Sequence, residues 1–397
     1  MFFSYRQPCT VCREPSPDKP EIELRHAIFS IVCYAYPLVR PMDMLDKKLQ
    51  NRLERLLRAA PELDPGPDHR LVIFSDLHLG DGGGNDDFKK NADLFLAMMR
   101  RHYLKKNFTL ILNGDIEELA RFSLARIATR WLEVYGVWAE FAARGALIKL
   151  VGNHDLALLR RRPDDLPFPV SEALKIRLGD KSLFVVHGHQ TSHLNWAFQT
   201  LGILFLRWLL HPLGIGNYTV ARSSRRRFRV EKRVYSFARG KKIMALIGHT
   251  HRPLFESLSR LDTLKIEIEN LCRRYPQAAA GEKRVLEAGL ARLKKEYVRL
   301  QRQDHQRGRR SENLYNDGPL LPCLFNSGCG IGRHGVTAIE IVRGRVALVY
   351  WIDRRRSEKY FAAQGYEPQR LGDSDYYRVV LKEEDLEYVF TRINLLG

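Results

Sequence analysis

Five short apolar segments, each followed at once by polar side chains, constrain the fold of this chain more than any other feature. The segments are residues 71–75, 108–112, 147–151, 182–186 and 243–247. Their length and nearly continuous hydrophobicity are typical of strands in a sheet that is covered on both faces. Stretches with helical spacing separate them, and a chain of 397 residues is long enough to bury a large core. We therefore expect an α/β fold.

The polar clusters that follow these segments carry the residue types of a metal site. In order they are SDLHLGD, NGDIEE, GNHD, HGHQ and GHTH. Because the carboxyl ends of neighbouring strands lie at one edge of an open α/β sheet, clusters that are distant in sequence can meet there. Carboxylate, imidazole and amide groups without cysteine suit Mn²⁺, Zn²⁺ or iron. The sequence therefore predicts a metal site at that edge.

Spacing within the clusters suggests how single residues act. In Asp76-x-His78 and in His249-x-His251, a period of two would put both side chains on one side of an extended strand end. Asp115 has two carboxylate oxygens with which to bridge two ions. The glycine of GNHD is expected to make the turn after its strand, since glycine tolerates a positive φ.

The order D-x-H, G-D, G-N-H-D, a lone histidine and G-H-x-H, over residues 76–251, resembles the motif pattern of the calcineurin-like metallophosphoesterases. The resemblance implies a four-layer αββα metallophosphoesterase sandwich with two divalent metal ions close together. Mn²⁺ is the first expectation, with Zn²⁺ and iron as alternatives. The implied ligands are Asp76, His78 and His251 for one ion, Asn153, His187 and His249 for the other, and Asp115 as the bridge.

The resemblance also implies a reaction and a catalytic histidine. A hydroxide that bridges the two ions would attack a phosphate ester or a pyrophosphate in line. His154 would then protonate the departing oxygen as a general acid. The acid that orients His154 would be Glu118 or Asp155, and these two alternatives stay open. His189 is expected to be solvated, or to support the ligands, rather than to bind an ion.

Differences between branches of this family narrow the range of expected substrates. The segment GDIEEL lacks the G-D-x-x-D-R-G motif of the Ser/Thr protein phosphatases. The UDP-diacylglucosamine hydrolases share D-L-H-L, an acid three residues after G-D and a large insert before G-H-x-H, although they usually carry arginine where His154 stands. We therefore expect a phosphorylated, anionic substrate that is lipid-linked or a nucleotide. A nucleic-acid phosphodiesterase or nuclease, and a non-catalytic scaffold or binding protein with this fold, are the alternatives.

The remaining sequence suggests additions to a catalytic domain of residues 67–255 and 313–397. Residues 1–66 are predicted as an N-terminal extension with an amphipathic helix that begins at Met42. Residues 256–312 carry leucines at helical spacing on both sides of a loop, which predicts an antiparallel helical hairpin. The simplest interpretation is that the hairpin packs on itself, and self-association through it is the alternative.

Two further segments have predicted roles. Residues 61–70, which are rich in proline, aspartate and glycine, are predicted as a linker. Residues 324–354 resemble the second sheet of the family, with a hairpin turn near Arg343 and Gly344. Both predictions concern how the catalytic domain is completed.

Charge and an insert at residues 194–242 bear on the partners. The chain carries 65 Lys and Arg against 46 Asp and Glu, a formal charge of +19, which favours anionic partners. Within the insert an apolar stretch, 194–216, precedes a basic stretch, 221–242, whose single acid is Glu231. This combination predicts a lid that binds a lipid-linked substrate or an anionic membrane surface. A nucleic-acid groove and a solvated basic helix are the alternatives.

Cysteine usage and hydropathy bear on the compartment. Six scattered cysteines are too few for a disulfide framework in a chain of this length. No apolar run reaches the roughly 20 residues that a membrane-spanning helix needs. We therefore expect a cytoplasmic protein, peripheral at the membrane if the insert binds lipid.

Overall fold

The structure is a computed structural model that describes residues 42–191, 224–258, 260–306, 321–358, 360–361 and 366–397. The chain divides into two compact units, residues 1–47 and residues 48–397, and the second contains all the motifs. The predictions for residues 1–41 and for the apolar stretch 194–216 lie outside the described residues.

The described residues form an α/β fold with eight α-helices and two mixed sheets. The helices are α1 (Met42–Ala59), α2 (Ala92–Met98), α3 (Leu124–Arg130), α4 (Leu132–Ala143), α5 (Ser224–Lys241), α6 (Arg260–Arg274), α7 (Ala280–Gln306) and α8 (Leu386–Leu396). The strands are β1 (Glu62–Leu63), β2 (Arg70–Phe74), β3 (Thr109–Asn113), β4 (Leu147–Leu150), β5 (Val170–Ser171), β6 (Ala173–Leu178), β7 (Lys181–Val186), β8 (Met244–Ile247), β9 (Leu324–Asn326), β10 (Gly335–Val342), β11 (Arg345–Asp353), β12 (Gln369–Arg370) and β13 (Tyr376–Asp385).

Hydrogen bonding arranges the strands in two sheets. The larger sheet has the order β12-β13-β11-β10-β2-β3-β4-β5, and its strands β2 to β5 are parallel. The smaller sheet has the order β1-β6-β7-β8-β9, and its strands β7, β8 and β9 are parallel. Antiparallel neighbours, β10 beside β2 and β6 beside β7, make both sheets mixed.

All five predicted strands are present, with ends within one residue of the expected positions. They are β2, β3, β4, β7 and β8. The expectation that they share the edge of one sheet is wrong, because β2, β3 and β4 belong to the larger sheet whereas β7 and β8 belong to the smaller one. A hydrophobic run reports that a strand is buried and does not report which sheet contains it.

Apolar side chains from both sheets form one core cluster. Ile73 of β2 and Phe184 of β7 belong to it, and Leu53 of α1 joins them. Phe74, the next residue of β2, belongs instead to a second cluster with Trp138 of α4. Because successive side chains of a strand point to opposite faces, β2 is buried on both sides, as its continuous hydrophobicity predicts. The burial of Leu53 also confirms the predicted amphipathic helix.

The segment 324–354 does not form a second sheet of its own, so that prediction is wrong. Its first strand, β9, extends the smaller sheet beside β8. Its other strands, β10 and β11, extend the larger sheet because β10 pairs with β2, with Ile339 opposite Ile73. The predicted hairpin turn is confirmed: Val342 pairs with Arg345, and Arg343 and Gly344 between them have positive φ.

The helical hairpin predicted after the last motif is also present. Helices α6 and α7 follow each other, with a short 3-10 turn at Tyr275–Gln277 between them. Three leucines of the predicted seams are buried, namely Leu264, Leu286 and Leu293. The Lys382 ammonium of β13 donates a hydrogen bond to Glu267 of α6 (2.6 Å), which connects the hairpin to the larger sheet.

The predicted linker contributes a strand to the smaller sheet, and the basic half of the insert contributes a helix to the core. Residues 61–70 contain β1, which pairs with β6, and a strand of two residues is too short to leave a hydrophobic pattern. The basic half forms α5, whose Val234 and Ala238 are buried in the core while Arg226 is exposed. Among the described residues, no helix is both long and apolar enough to cross a membrane.

Candidate metal centre

Loops that follow β2, β3, β4, β7 and β8 bring the predicted site residues together. Main-chain hydrogen bonds connect these loops: Asp76 N–H donates to Gly114 O, and Gly248 N–H donates to His187 O, each at 3.0 Å. One bond joins neighbouring loops of the larger sheet, and the other joins neighbouring loops of the smaller sheet. The side chains are therefore carried on loops that are held at their bases.

Backbone conformation, rather than strand periodicity, brings the alternate residues together. Asp76 and His78 have φ values of 54° and 49°, and His249 and His251 have 63° and 53°. These values are left-handed, whereas the argument from a period of two assumed an extended strand end. The prediction of an extended conformation is wrong because β2 ends at Phe74, before the motif begins.

The first group of predicted ligands is Asp76, His78 and His251. His251 Nε2 lies 3.0 Å from Asp76 Oδ1, and His78 Nε2 lies 3.2 Å from His251 Nε2. Asp76 is fully buried and also accepts hydrogen bonds from the main-chain N–H of His249 (3.0 Å to Oδ2). Its oxygen and the two ring nitrogens therefore point at a common position.

The second group is His187, His249 and Asn153. His187 Nδ1 lies 2.8 Å from Asn113 O, and because a carbonyl only accepts, Nδ1 carries a proton and Nε2 is the nitrogen left to bind an ion. Within the described residues, three buried atoms of this group lack a hydrogen-bond partner, namely His187 Nε2, His249 Nε2 and Asn153 Oδ1. Buried polar atoms are normally hydrogen-bonded, so such atoms are candidate metal ligands.

Asp115 lies between the two groups. Its Oδ2 is 3.2 Å from His187 Nε2 and 3.9 Å from His78 Nε2. In the part of the chain that the structure describes, groups of three His, Cys, Asp or Glu side chains close enough to hold one ion occur only here. They are Asp76–His78–His251, His78–Asp115–His154 and Asp115–His187–His249. These side chains, of which all but His251 and His154 are buried, could hold metal ions.

Glu118 binds both His154 and a predicted ligand. Its Oε1 accepts a hydrogen bond from His154 Nδ1 (2.7 Å), and its Oε2 accepts one from His78 Nδ1 (3.0 Å). Each bond fixes the ring orientation of its histidine, and it leaves the Nε2 atom of His78 to bind an ion. Between the two candidate orienting acids, the geometry therefore favours Glu118.

Asp155 has a different role from the one expected. Its carboxylate accepts hydrogen bonds from the main-chain N–H groups of Gly152 and of Ile116 (2.7 Å), so it joins the loops after β3 and β4. The role predicted for Gly152 also changes, because its φ is not positive. A Cβ atom there would overlap the Asp115 carboxylate, so glycine is required for space rather than for a turn.

The electrostatics of the site favour ionised carboxylates beside a protonated His154. Burial alone would raise the pKa of Asp115, but the nearby histidines His187 and His154 outweigh it and hold that pKa well below its usual range. Burial alone would lower the pKa of His154, but the carboxylates of Glu118 and Asp115 raise it to about 10. The pKa of His249 falls to about 3 through burial and the nearby His187, which leaves a neutral ring that can bind an ion.

Two further polar residues lie at the site. His189 is buried, so the prediction that it is solvated is wrong. Its ring centroid lies 5.6 Å from that of His187. Sequence reasoning missed Asn326, which ends β9 and whose Nδ2 donates to Gly248 O (2.9 Å). The signal was present, because the segment LFNSG is another apolar run that ends in polar residues.

Two comparisons with known proteins find no relative of this chain. No protein-family model matches the chain, and a search of the curated proteins finds no match.

Proposed function

We propose that the chain is a metal-dependent phosphoesterase with a dinuclear centre, related to the calcineurin-like metallophosphoesterases, that hydrolyses a phosphate ester or a pyrophosphate. One observation carries the proposal. Five loops from two sheets converge, and their buried carboxylates and imidazoles face one another beside three buried ligand atoms that lack a hydrogen-bond partner among the described residues. Apolar residues would stabilise a protein core better than these buried ionisable groups, so stability alone does not explain them.

The donor set fits two divalent ions. Asp76, His78 and His251 would hold one, and His187, His249 and Asn153 the other, with Asp115 shared between them. Oxygen and imidazole ligands without thiolate suit Mn²⁺ first, and also Zn²⁺ or iron. When bound, such ions neutralise charge on a phosphoryl group and lower the pKa of a water molecule towards neutrality.

His154 would donate the proton that the leaving oxygen needs. Its Nδ1–H is held by Glu118, so its Nε2–H remains available to the substrate. The two carboxylates that raise its pKa keep the ring protonated near neutral pH. Proton donation of this kind contributes roughly 10²- to 10⁴-fold to a rate when the leaving group is poor.

The packing supports the proposed four-layer sandwich. Residues from both sheets share one core cluster, and α5 contributes to it. The other face of the larger sheet packs against α2 and α4. In such an arrangement the loops at the ends of both sheets open onto one site, which is where the predicted ligands lie.

The test measures metal content and hydrolysis together. The full-length chain is stripped of metal, reloaded with Mn²⁺, Zn²⁺ or Fe²⁺, and assayed on bis-p-nitrophenyl phosphate, p-nitrophenyl phosphate, a pyrophosphate diester and single-stranded DNA. We expect two ions for each chain by elemental analysis and turnover that depends on them. Metal binding without turnover of any ester would favour a binding protein, and the absence of metal binding would contradict the proposal. Turnover of single-stranded DNA above all other substrates would identify a nuclease.

A further inference from the structure

Glu231 is a buried carboxylate in a helix whose other charges are basic. It is the only acid in the stretch 221–242, and its side chain is completely buried. Its Oε1 accepts hydrogen bonds from Thr250 Oγ1 (2.9 Å) and from Arg252 Nε (3.2 Å), and its Oε2 accepts one from Arg252 Nη2. Thr250 lies between the two predicted ligands His249 and His251. The carboxylate therefore binds the metal-site loop directly.

Asn326 binds the same loop from the other side. Its Nδ2 donates hydrogen bonds to Thr250 Oγ1 and to Gly248 O, both at 2.9 Å. The Thr250 hydroxyl thus accepts from Asn326 and donates to Glu231. A chain of hydrogen bonds runs from β9 through the loop to α5, and it passes between the two histidines.

The loop needs such support because its backbone is unfavourable. His249 and His251 both have left-handed φ values, 63° and 53°, which residues other than glycine rarely adopt. Conformations of this kind persist only when the surrounding structure determines them. Helix α5 also holds the other loop of the smaller sheet, because Arg233 Nη1 donates to Thr191 O (2.8 Å), four residues after His187.

We propose that Glu231 is a positioning residue for the metal centre, which sets the direction of His249 and His251 through Thr250 and Arg252. The inference rests on the proposed metal-dependent function. It makes α5, the last part of the predicted lid insert, a fixed support of the active site. Hydrogen bonds behind metal ligands fix the orientation of those ligands, and losing them typically weakens metal binding by about 10- to 100-fold.

A matched control exists elsewhere in the molecule. Glu340 of β10 is also buried, and it accepts hydrogen bonds from a hydroxyl, Tyr103 Oη (2.8 Å), and from an arginine, Arg378 Nε (3.0 Å). The two carboxylates therefore have the same kinds of partner, but Glu340 contacts no predicted ligand. A change that both substitutions cause reflects a loss of stability. A loss of metal affinity that only the Glu231 substitution causes reflects its role at the metal centre.

The test is a calorimetric Mn²⁺ titration of the metal-free, full-length chain, with urea unfolding of each variant. We expect Glu231→Gln and Thr250→Val each to raise the Kd for Mn²⁺ by about 10- to 100-fold. Glu340→Gln should unfold at lower urea concentration yet bind Mn²⁺ like the wild type. Because both site variants break one chain of hydrogen bonds, the double variant should lose less affinity than the product of the two single effects.

The outcomes separate the inference from the function on which it rests. Wild-type affinity in Glu231→Gln, or a loss of affinity matched by Glu340→Gln, would overturn the positioning role while leaving the metal centre intact. If Glu231→Gln does not fold, Thr250→Val decides, and unchanged Mn²⁺ affinity in that variant has the same meaning. Failure of the wild type to bind Mn²⁺, Zn²⁺ or Fe²⁺ would overturn the proposed function, and the inference with it.

Discussion

Replacing Glu118 with Gln tests whether this carboxylate keeps His154 protonated. The substitution preserves size and removes the charge that lies 2.7 Å from His154 Nδ1. Two unit charges about 4 Å apart attract by about 4 kcal/mol at the effective dielectric constant of about 20 that suits such sites. Because one pKa unit corresponds to about 1.4 kcal/mol, we expect the pKa of His154 to fall by about 3 units.

The direction of the effect on rate follows from the role of His154. A general acid acts only while it is protonated, so turnover falls as the pH rises through its pKa, which is about 10 with Glu118 present. In Glu118→Gln this alkaline fall should move down by about 3 pH units. Bound divalent ions lower the pKa in both proteins, so the difference between the two profiles is the quantity to measure.

The assay compares two esters over a range of pH. One is an alkyl phosphodiester, whose leaving oxygen needs a proton, and the other is a nitrophenyl ester, whose leaving oxygen scarcely does. The shift should appear with the alkyl ester alone. His154→Ala is the control, because it should abolish the alkaline fall and lower kcat on the alkyl ester by about 10²- to 10⁴-fold. Identical profiles for wild type and Glu118→Gln, or an equal shift on both esters, would refute the reasoning.

Three further predictions concern the bridge, acid stability and partners. Asp115→Asn should lose one or both metals and nearly all turnover, since an amide offers one neutral oxygen, and full metal content by elemental analysis would contradict the bridge. Burial lowers the pKa of His102 to about 3. As the pH falls from about 6.5 to 3, the unfolded chain therefore takes up a proton that the folded protein does not, and the free energy of unfolding should fall by about 1.4 kcal/mol per pH unit. Urea unfolding at several pH values should show that His102→Gln lacks this part of the loss. Replacing the exposed Arg226, Arg229 and Lys232 of α5 with Gln should weaken binding to anionic liposomes by about 1 kcal/mol per residue. If single-stranded DNA affinity and its salt dependence fall instead, the partner is nucleic acid.

The strands that carry the site could be predicted because their sequence signal is local. A run of four or five apolar residues that ends in polar ones indicates both burial and the end of the strand, as in β2 before Ser75. Sheet membership could not be predicted in the same way. It depends on pairs such as Ile339 with Ile73, which are far apart in sequence and chemically interchangeable with many others.

The roles of residues within the site also differ in how far the sequence predicts them. The types of the proposed ligands could be predicted from the residues, because only certain side chains bind divalent ions. The choice between Glu118 and Asp155 could not be predicted from the sequence, since it depends on whether a carboxylate meets a ring nitrogen or a main-chain N–H. Glu231 had a signal, as the one acid in a basic stretch, but its partners lie in another loop that no spacing within the helix reveals.

Backbone strain gives an independent reason to regard the polar clusters as functional. Most of the proposed ligands have left-handed φ values, namely Asp76, His78, Asp115, His249 and His251. Each such residue costs roughly 1 to 3 kcal/mol relative to a relaxed backbone, and glycine would remove most of that cost. Side chains are nevertheless present at every one of these positions, and all but His251 are buried although burial disfavours ionisable groups. Folding alone would not select this combination, whereas the binding of divalent cations would offset both costs, because it lowers the free energy only when those side chains converge.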